Sequence, residues 1–248
     1  MEPADKQSET PKPLAQISTA WSVVLRAKDG VQIPTEEVAS FFSRYHGAVY
    51  RYFLTATRNS DVAEELTQDF AVRFLRGDFS NVHPDRGRFR DFLRVSLANQ
   101  LRDFQRRQKV RSVNEPLHEE PMDHDAATAE SFNENWRDEI LAQTWTALER
   151  HQETTGQMFF LALKLKAVES ELSSAELARL YSQRIQVETS DEAFRKILQR
   201  SRRRFGELLL NIIADTLAVP TREELQRELA ELKLLVYCDT LLKTPSEI

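Results

Sequence analysis

The sequence predicts an all-α protein, and three observations carry that prediction. Apolar residues recur at three-and-four spacing through most of the chain, the signature of one buried helix face. Glycine and proline are scarce, at 6 and 9 in 248 residues, too few for the tight turns of a β-sandwich or barrel. Helix-starting residues stand where the periodic stretches begin, and neither a convincing strand nor an internal repeat interrupts them. The expected architecture is two small helical domains joined by an acidic linker, with a C-terminal helix beyond them.

Taken in order, residues 1–16 are polar and proline-containing and read as a disordered tail. Residues 17–111 form the first expected domain. Between Glu36 and Arg58, the residues Val38, Phe41, Phe42, Tyr45, Val49 and Phe53 make one helix face, entered through Pro34 and Thr35. In "NSDVAEELTQDFAVRFLRG" the start is Asn59 or Ser60, the stop is Gly77, and the stripe is Val62, Leu66, Phe70 and Phe74. The loop "DFSNVHPDRG" leads into the next helix, "GRFRDFLRVSLANQLRDFQRRQK". Residues 112–135 read as an acidic linker that becomes helical near its end: from Ser112 to Ala142 there are nine acidic residues, one arginine and two prolines.

Residues 136–219 form the second expected domain. "SSAELARLYSQRI" begins with a capping box of Ser173 and Glu176, and Thr189 with Glu192 reads as a second one. The following helix has the stripe Phe194, Ile197, Leu198, Ser201, Phe205, Leu208, Leu209, Ile212 and Ile213. These two helices form a helix-turn-helix candidate, although the turn "QVETS" lacks the glycine often seen there. Residues 220–248 read as one amphipathic helix with Leu225, Leu229, Leu232 and Val236 on its apolar face, either a regulatory element that modulates activity or a helix packed against the second domain.

Composition excludes several classes. A single cysteine, Cys238, leaves no intramolecular disulfide and no cysteine-built zinc site, and suits a reducing compartment. The N-terminal stretch has no apolar core, so a signal peptide is not expected, and no run approaches the roughly 20 apolar residues of a membrane helix. The expected location is the cytoplasm, with no membrane partner. The histidines at 46, 83, 118, 124 and 151 lack metal-ligand spacing. No phosphate-binding loop, dinucleotide motif or nucleophile elbow is present. No catalytic residue, metal or cofactor is expected, and the protein is not read as an enzyme.

The charge pattern points to a polyanion. The chain is acidic overall, at −5, yet from Asp85 to Arg111 nine basic residues face three acidic ones. At about 100° per residue, Phe89, Phe92, Leu93, Leu97, Leu101 and Phe104 gather on one side of that helix. Arg88, Arg94, Arg102, Arg106 and Lys109 gather on the other, with Asn99 among them. A one-sign stripe about 30 Å long favours nucleic acid, because neutralised phosphates release condensed counterions. Asp103 beside Arg106 and Arg107 is a helix-surface pairing pattern rather than an acid–base site. A second cluster, "RKILQRSRRR" at 195–204, has six basic residues and no acid, on the helix that would enter the major groove. Asp191 and Glu192, at the start of that helix, suit capping and dipole compensation better than base readout.

These residues resemble a family. The run Ala63-Glu64-Glu65-Leu66-Thr67-Gln68-Asp69 precedes Phe89, Phe92 and Leu93, then Ala98-Asn99, then Asp103 with Arg106 and Arg107. That order resembles the second domain of bacterial RNA polymerase sigma factors of the extracytoplasmic-function group of the sigma-70 family. The 136–219 block resembles, less specifically, the family's C-terminal helix-turn-helix domain. The resemblance implies that Glu65, Gln68 and Asp69 bind the clamp helices of the polymerase beta-prime subunit. It implies that Asn99, Arg102, Arg106 and Arg107 face the upstream promoter element where melting begins. The loop from Phe79 to Arg86 would hold a flipped-out base, and Arg195, Lys196, Arg200 and Arg203 would contact the distal element. Arg88 joins the DNA-binding set through its place on the basic face. The partners implied are core RNA polymerase, with the beta flap as a further contact, and promoter DNA; the resemblance leaves room for an anti-sigma factor. The competing reading is a stand-alone helix-turn-helix regulator. Such a regulator has no use for the Glu65–Gln68–Asp69 face.

Overall fold

Helices form along the periodic stretches, and side-chain caps set the starts of four of them. A computed structural model describes residues 20–78, 88–111 and 124–243; the expected tail and the loop carrying Phe79 to Arg86 lie outside the described residues. The helices are α1 (Ala20–Lys28), α2 (Thr35–Thr57), α3 (Ser60–Leu75), α4 (Phe89–Arg111), α5 (His124–Thr155), α6 (Phe159–Val168), α7 (Ser174–Ile185), α8 (Asp191–Ala214), α9 (Arg222–Glu231) and α10 (Asp239–Lys243), with a 3-10 turn at Leu235–Tyr237. No strand occurs among the described residues, so the fold class is all-α.

Local chemistry accounts for the boundaries. The Asn59 side chain caps α3, accepting from the backbone N–H of Asp61 at 3.0 Å and of Val62 at 3.1 Å. Gly77 stops that helix: it has φ +70°, its N–H donates to the Phe74 carbonyl, and a Cβ there would meet the Ala27 carbonyl. The capping box of Ser173 and Glu176 is present at the start of α7. The helix-turn-helix turn needs no glycine, because Gln186 takes the left-handed conformation at φ 56°. The cap of α8 is Ser190 rather than Thr189; its hydroxyl accepts from the Ala193 N–H at 3.2 Å, and Glu192 pairs with Lys196 instead.

Two larger expectations are corrected. The acidic stretch becomes helical at His124, so half of the expected linker belongs to the 32-residue α5, and Phe132 within it is fully buried. The segment after Pro220 is not one helix. It breaks after Glu231, turns through Lys233 at φ 58°, and returns with the Leu234 N–H on the Leu229 carbonyl at 2.7 Å. This reversal buries Leu232, Leu234, Cys238 and Leu242, whereas Val236, expected on the apolar face, is 77% exposed. Gly206 permits the return: a Cβ there would lie 2.7 Å from the Tyr237 carbonyl oxygen. The C-terminal segment is therefore part of the core rather than an appendage. Burial pushes the Cys238 thiol up to about 12.

The apolar residues divide unevenly. One continuous core takes in α1 to α4, the Phe132–Leu148 stripe of α5, the second half of α8 (Phe205, Leu209, Ile213) and the C-terminal segment. A small satellite core of Ala162, Leu177, Ala178, Tyr181, Phe194 and Leu198 holds the helix-turn-helix. Trp136 lies at the junction of the main core. Its ring stacks on Tyr45 at 5.3 Å and lies 6.1 Å from Phe89 and 6.0 Å from Phe132. Backbone bonds tie the starts of two helices to the end of α8: Ala20 N–H to the Asp215 carbonyl and Phe89 N–H to the Thr216 carbonyl.

Trp136→Ala should therefore destabilise both sequence halves together, by about 3–5 kcal/mol as for other buried large-to-small changes. Urea unfolding followed by circular dichroism should show one transition at a lower midpoint. A transition losing only part of the helical signal would show that the halves fold separately.

Candidate nucleic-acid interface

α4 lies on the main core through Phe89, Leu93, Leu97 and Leu101, all buried, with Phe92 and Phe104 partly buried beside them. Gln100 fixes its rotation: fully inside, its amide donates to the Leu66 carbonyl of α3 at 2.8 Å. The opposite face is polar and exposed at Asn99, Arg102, Arg106, Arg107 and Lys109. Local contacts steady it without neutralising it. Arg102 donates to the Asn99 side chain at 3.2 Å, Arg106 pairs with Asp103 at 2.9 Å, and Arg107 donates to the Asp103 carbonyl at 3.3 Å. Exposed pairs of this kind contribute less than about 1 kcal/mol, so the guanidiniums can exchange them for phosphates.

Arg88 does not share that face. Its guanidinium is held by Glu231 of α9 at 2.5 and 2.9 Å and by Glu228 at 2.7 Å. The helical wheel puts Arg88 on the basic face, but Arg88 precedes the first residue of α4 and its guanidinium is engaged by the carboxylates of α9. Sequence reasoning missed Arg90 altogether. It is 2% exposed, on the wrong side of a basic helix, with Nε 2.9 Å from Glu228, Nη2 2.7 Å from Glu231 and Nη1 donating to Asn133 at 2.6 Å. Burial pushes the Glu228 carboxyl up while Arg90 and Arg88 pull it back; the hydrogen bond from Arg88 holds the half-exposed Glu231 below the usual carboxylate range. Partners 138 and 143 positions apart leave no local signal in a single sequence.

α3 presents a separate face. Its stripe of Ala63, Leu66, Phe70 and Phe74 is buried, and Thr67 donates to the Ala63 carbonyl. Glu65, Gln68 and Asp69 are exposed together. Glu64 joins them, accepting from the Gln68 amide at 3.0 Å. At the helix-turn-helix, Arg195 pairs with Asp191 at 2.7 Å and Lys196 with Glu192 at 2.8 Å, and Arg203 pairs with Glu207 at 3.1 Å. Arg200 and Arg202 are exposed with no acidic partner among the described residues. They border a groove of about 1030 Å³ whose wall includes Trp145, Leu163 and Phe205, with Lys166 on its rim.

No group of three His, Cys, Asp or Glu residues among the described ones is arranged to hold a metal, and no described helix is long and apolar enough to cross a membrane.

Residues 41–111, under a third of the chain, match the family model described as Sigma-70 region 2. The match runs from Phe41 in α2 to the end of α4, and so includes the exposed α3 face and the basic face of α4. No curated protein and no solved structure matches the chain.

Arg90→Ala should cost about 3–5 kcal/mol, because it removes the buried charge partner of Glu228 and leaves that carboxylate only Arg88 at the edge. The loss should depend on pH with a definite sign. Without Arg90 the Glu228 carboxyl rises further, so the folded state holds a proton that the unfolded chain releases near its ordinary value. The deficit against wild type should be largest at about pH 8 and shrink toward about pH 5. A pH-independent deficit in urea titrations would contradict the pairing.

Proposed function

We propose that this chain is a sigma factor of the extracytoplasmic-function group: it binds core RNA polymerase and directs promoter recognition and transcription initiation. The observation that carries the reading is the placement, within the region 2 match, of two unlike exposed faces on adjacent helices. The α3 face, with Glu65, Gln68 and Asp69, suits the polar beta-prime clamp helices. The α4 face, with Asn99, Arg102, Arg106 and Arg107, suits the upstream promoter element. Arg195, Lys196, Arg200 and Arg203 on α8 suit the distal element. Arg200 and Arg203 also line the apolar-walled groove, which suits the beta flap. The chemistry of transcription stays with the polymerase, and the protein acts in the cytoplasm.

The DNA face works by position and charge. Arginine contacts with phosphates set register on the duplex, and an extruded base costs a few kcal/mol of unstacking, offset by the contacts it gains. Changing Arg102, Arg106 and Arg107 together to Ala should leave the melting temperature nearly unchanged, since exposed substitutions stay within about 0.5 kcal/mol each. Promoter complexes of the holoenzyme should weaken and show a shallower salt dependence. Undiminished promoter opening at raised salt would remove these residues from the DNA contact.

The polymerase face supplies the decisive test. Glu65→Lys, Gln68→Ala and Asp69→Lys change only exposed side chains, so the fold should survive. Binding to core polymerase should fall sharply, because like charges across an interface cost several kcal/mol, while affinity of the isolated protein for DNA should hold or rise. A labelled-protein titration against purified core enzyme, run beside a DNA-binding assay, measures both. A stand-alone regulator gives the reverse pattern: no core binding by the wild type, and unaltered operator occupancy by the mutant.

A further inference from the structure

Arg88 and Arg90 are held by two carboxylates of one distant helix, and the two arginines are held differently. Arg90 is inside the protein, with Glu228 and Asn133 as fixed partners. Arg88 sits at the edge, its side chain 12% exposed, and Glu231 beside it keeps 47% of its side chain in solvent. Glu231 accepts from both terminal nitrogens of Arg88, at 2.5 and 2.9 Å, and from Nη2 of Arg90 at 2.7 Å. One carboxylate thus occupies a three-donor fork at the start of α4, with solvent behind it, and shares Arg88 Nη1 with the buried Glu228 at 2.7 Å.

A phosphate is a close substitute for that carboxylate. It is planar-fork compatible, anionic, and is bound by arginine through the same paired N–H groups. The exchange would leave the buried Arg90–Glu228 pair in place, so α9 need not leave the core. Only the Glu231 side chain must swing away, from the last residue of its helix.

We propose that Arg88, with Nη2 of Arg90, forms a backbone-phosphate site at the start of α4, and that Glu231 fills it in the free protein as an internal phosphate mimic. The inference rests on the reading of α4 as a DNA-facing helix. DNA then gains this contact only by displacing Glu231, which holds back non-specific binding by the free chain while leaving the distal end of α4 accessible.

The test is fluorescence anisotropy of the full chain with a labelled random-sequence duplex across a salt series. A phosphate contact is independent of base sequence, so no promoter is needed. Glu231→Ala should bind several-fold more tightly than wild type, with the slope of log K against log salt steeper by about 0.9. Adding Arg88→Gln to that variant should abolish both changes. Glu223→Ala removes the same charge from an exposed position of α9, and should change affinity far less. Thermal melting run alongside reports on the fold, and Glu231→Gln, which keeps the side-chain shape, serves if Glu231→Ala melts early. Unchanged affinity and slope in both Glu231 variants would overturn the inference. An equal gain from Glu223→Ala, or a gain that survives Arg88→Gln, would overturn it as well. The full pattern in a protein that fails to bind core polymerase would uphold the phosphate site while removing the sigma-factor reading.

Discussion

The arrangement of this protein depends on α5 having to bury apolar side chains along most of its described length. Phe132, Trp136, Ile140 and Leu148 recur at multiples of four residues and are all inside. Trp145, a turn from Leu148, meets Phe160 at 5.9 Å and Phe205 at 5.2 Å. A helix of this length, about 48 Å, cannot cover such a stripe with one small domain. Its first half packs under α2, with Arg51 on Glu139 and the Gln143 amide on the Arg44 carbonyl, and its second half packs under α6 and α8. The described half of the stretch that charge composition marks as a linker, residues 124–135, thereby belongs to the beam between the two halves.

That difference explains what a single sequence discloses. Helix positions, the Asn59 and Ser173 caps and the Gly77 stop are local, set by residues within a few positions of one another, and they are legible. So is the sidedness of α3 and most of α4. The start of α5 is not, because aspartates and glutamates on its outer face mask the four-residue recurrence of Phe132 and Trp136. Nor is the fate of residues 221–243: amphipathicity says that Leu225, Leu229 and Leu232 form a face, but only the core's shape says that the chain must reverse at Lys233 to bury Leu234 and Cys238.

Electrostatics divide the same way. The exposed pairs, Asp103 with Arg106 and Asp191 with Arg195, are helix-surface neighbours that spacing announces. Arg90 is the instructive failure, since an arginine in a basic helix reads as surface until a buried glutamate is found opposite it. Removing charge from water costs several kcal/mol per ion, so Arg90 and Glu228 tolerate burial only together. Their pairing fixes α9 against α4 in one register, and this sets which arginines of α4 remain outside.

The functional consequence follows from the packing. Phe89, Leu93, Leu97 and Gln100 turn one side of α4 to the core and to α3, while Leu66, Phe70 and Phe74 turn one side of α3 to the same core. What each helix has left is its outer face. The face left on α3 carries Glu64, Glu65, Gln68 and Asp69, and the face left on α4 carries Asn99, Arg102, Arg106, Arg107 and Lys109. Opposite charge prevents either face from serving the other's partner: the acidic one repels phosphate and the basic one attracts it. Two helices locked by one buried amide thus present an acidic and a basic surface side by side, the separation that the proposed sigma-factor role requires.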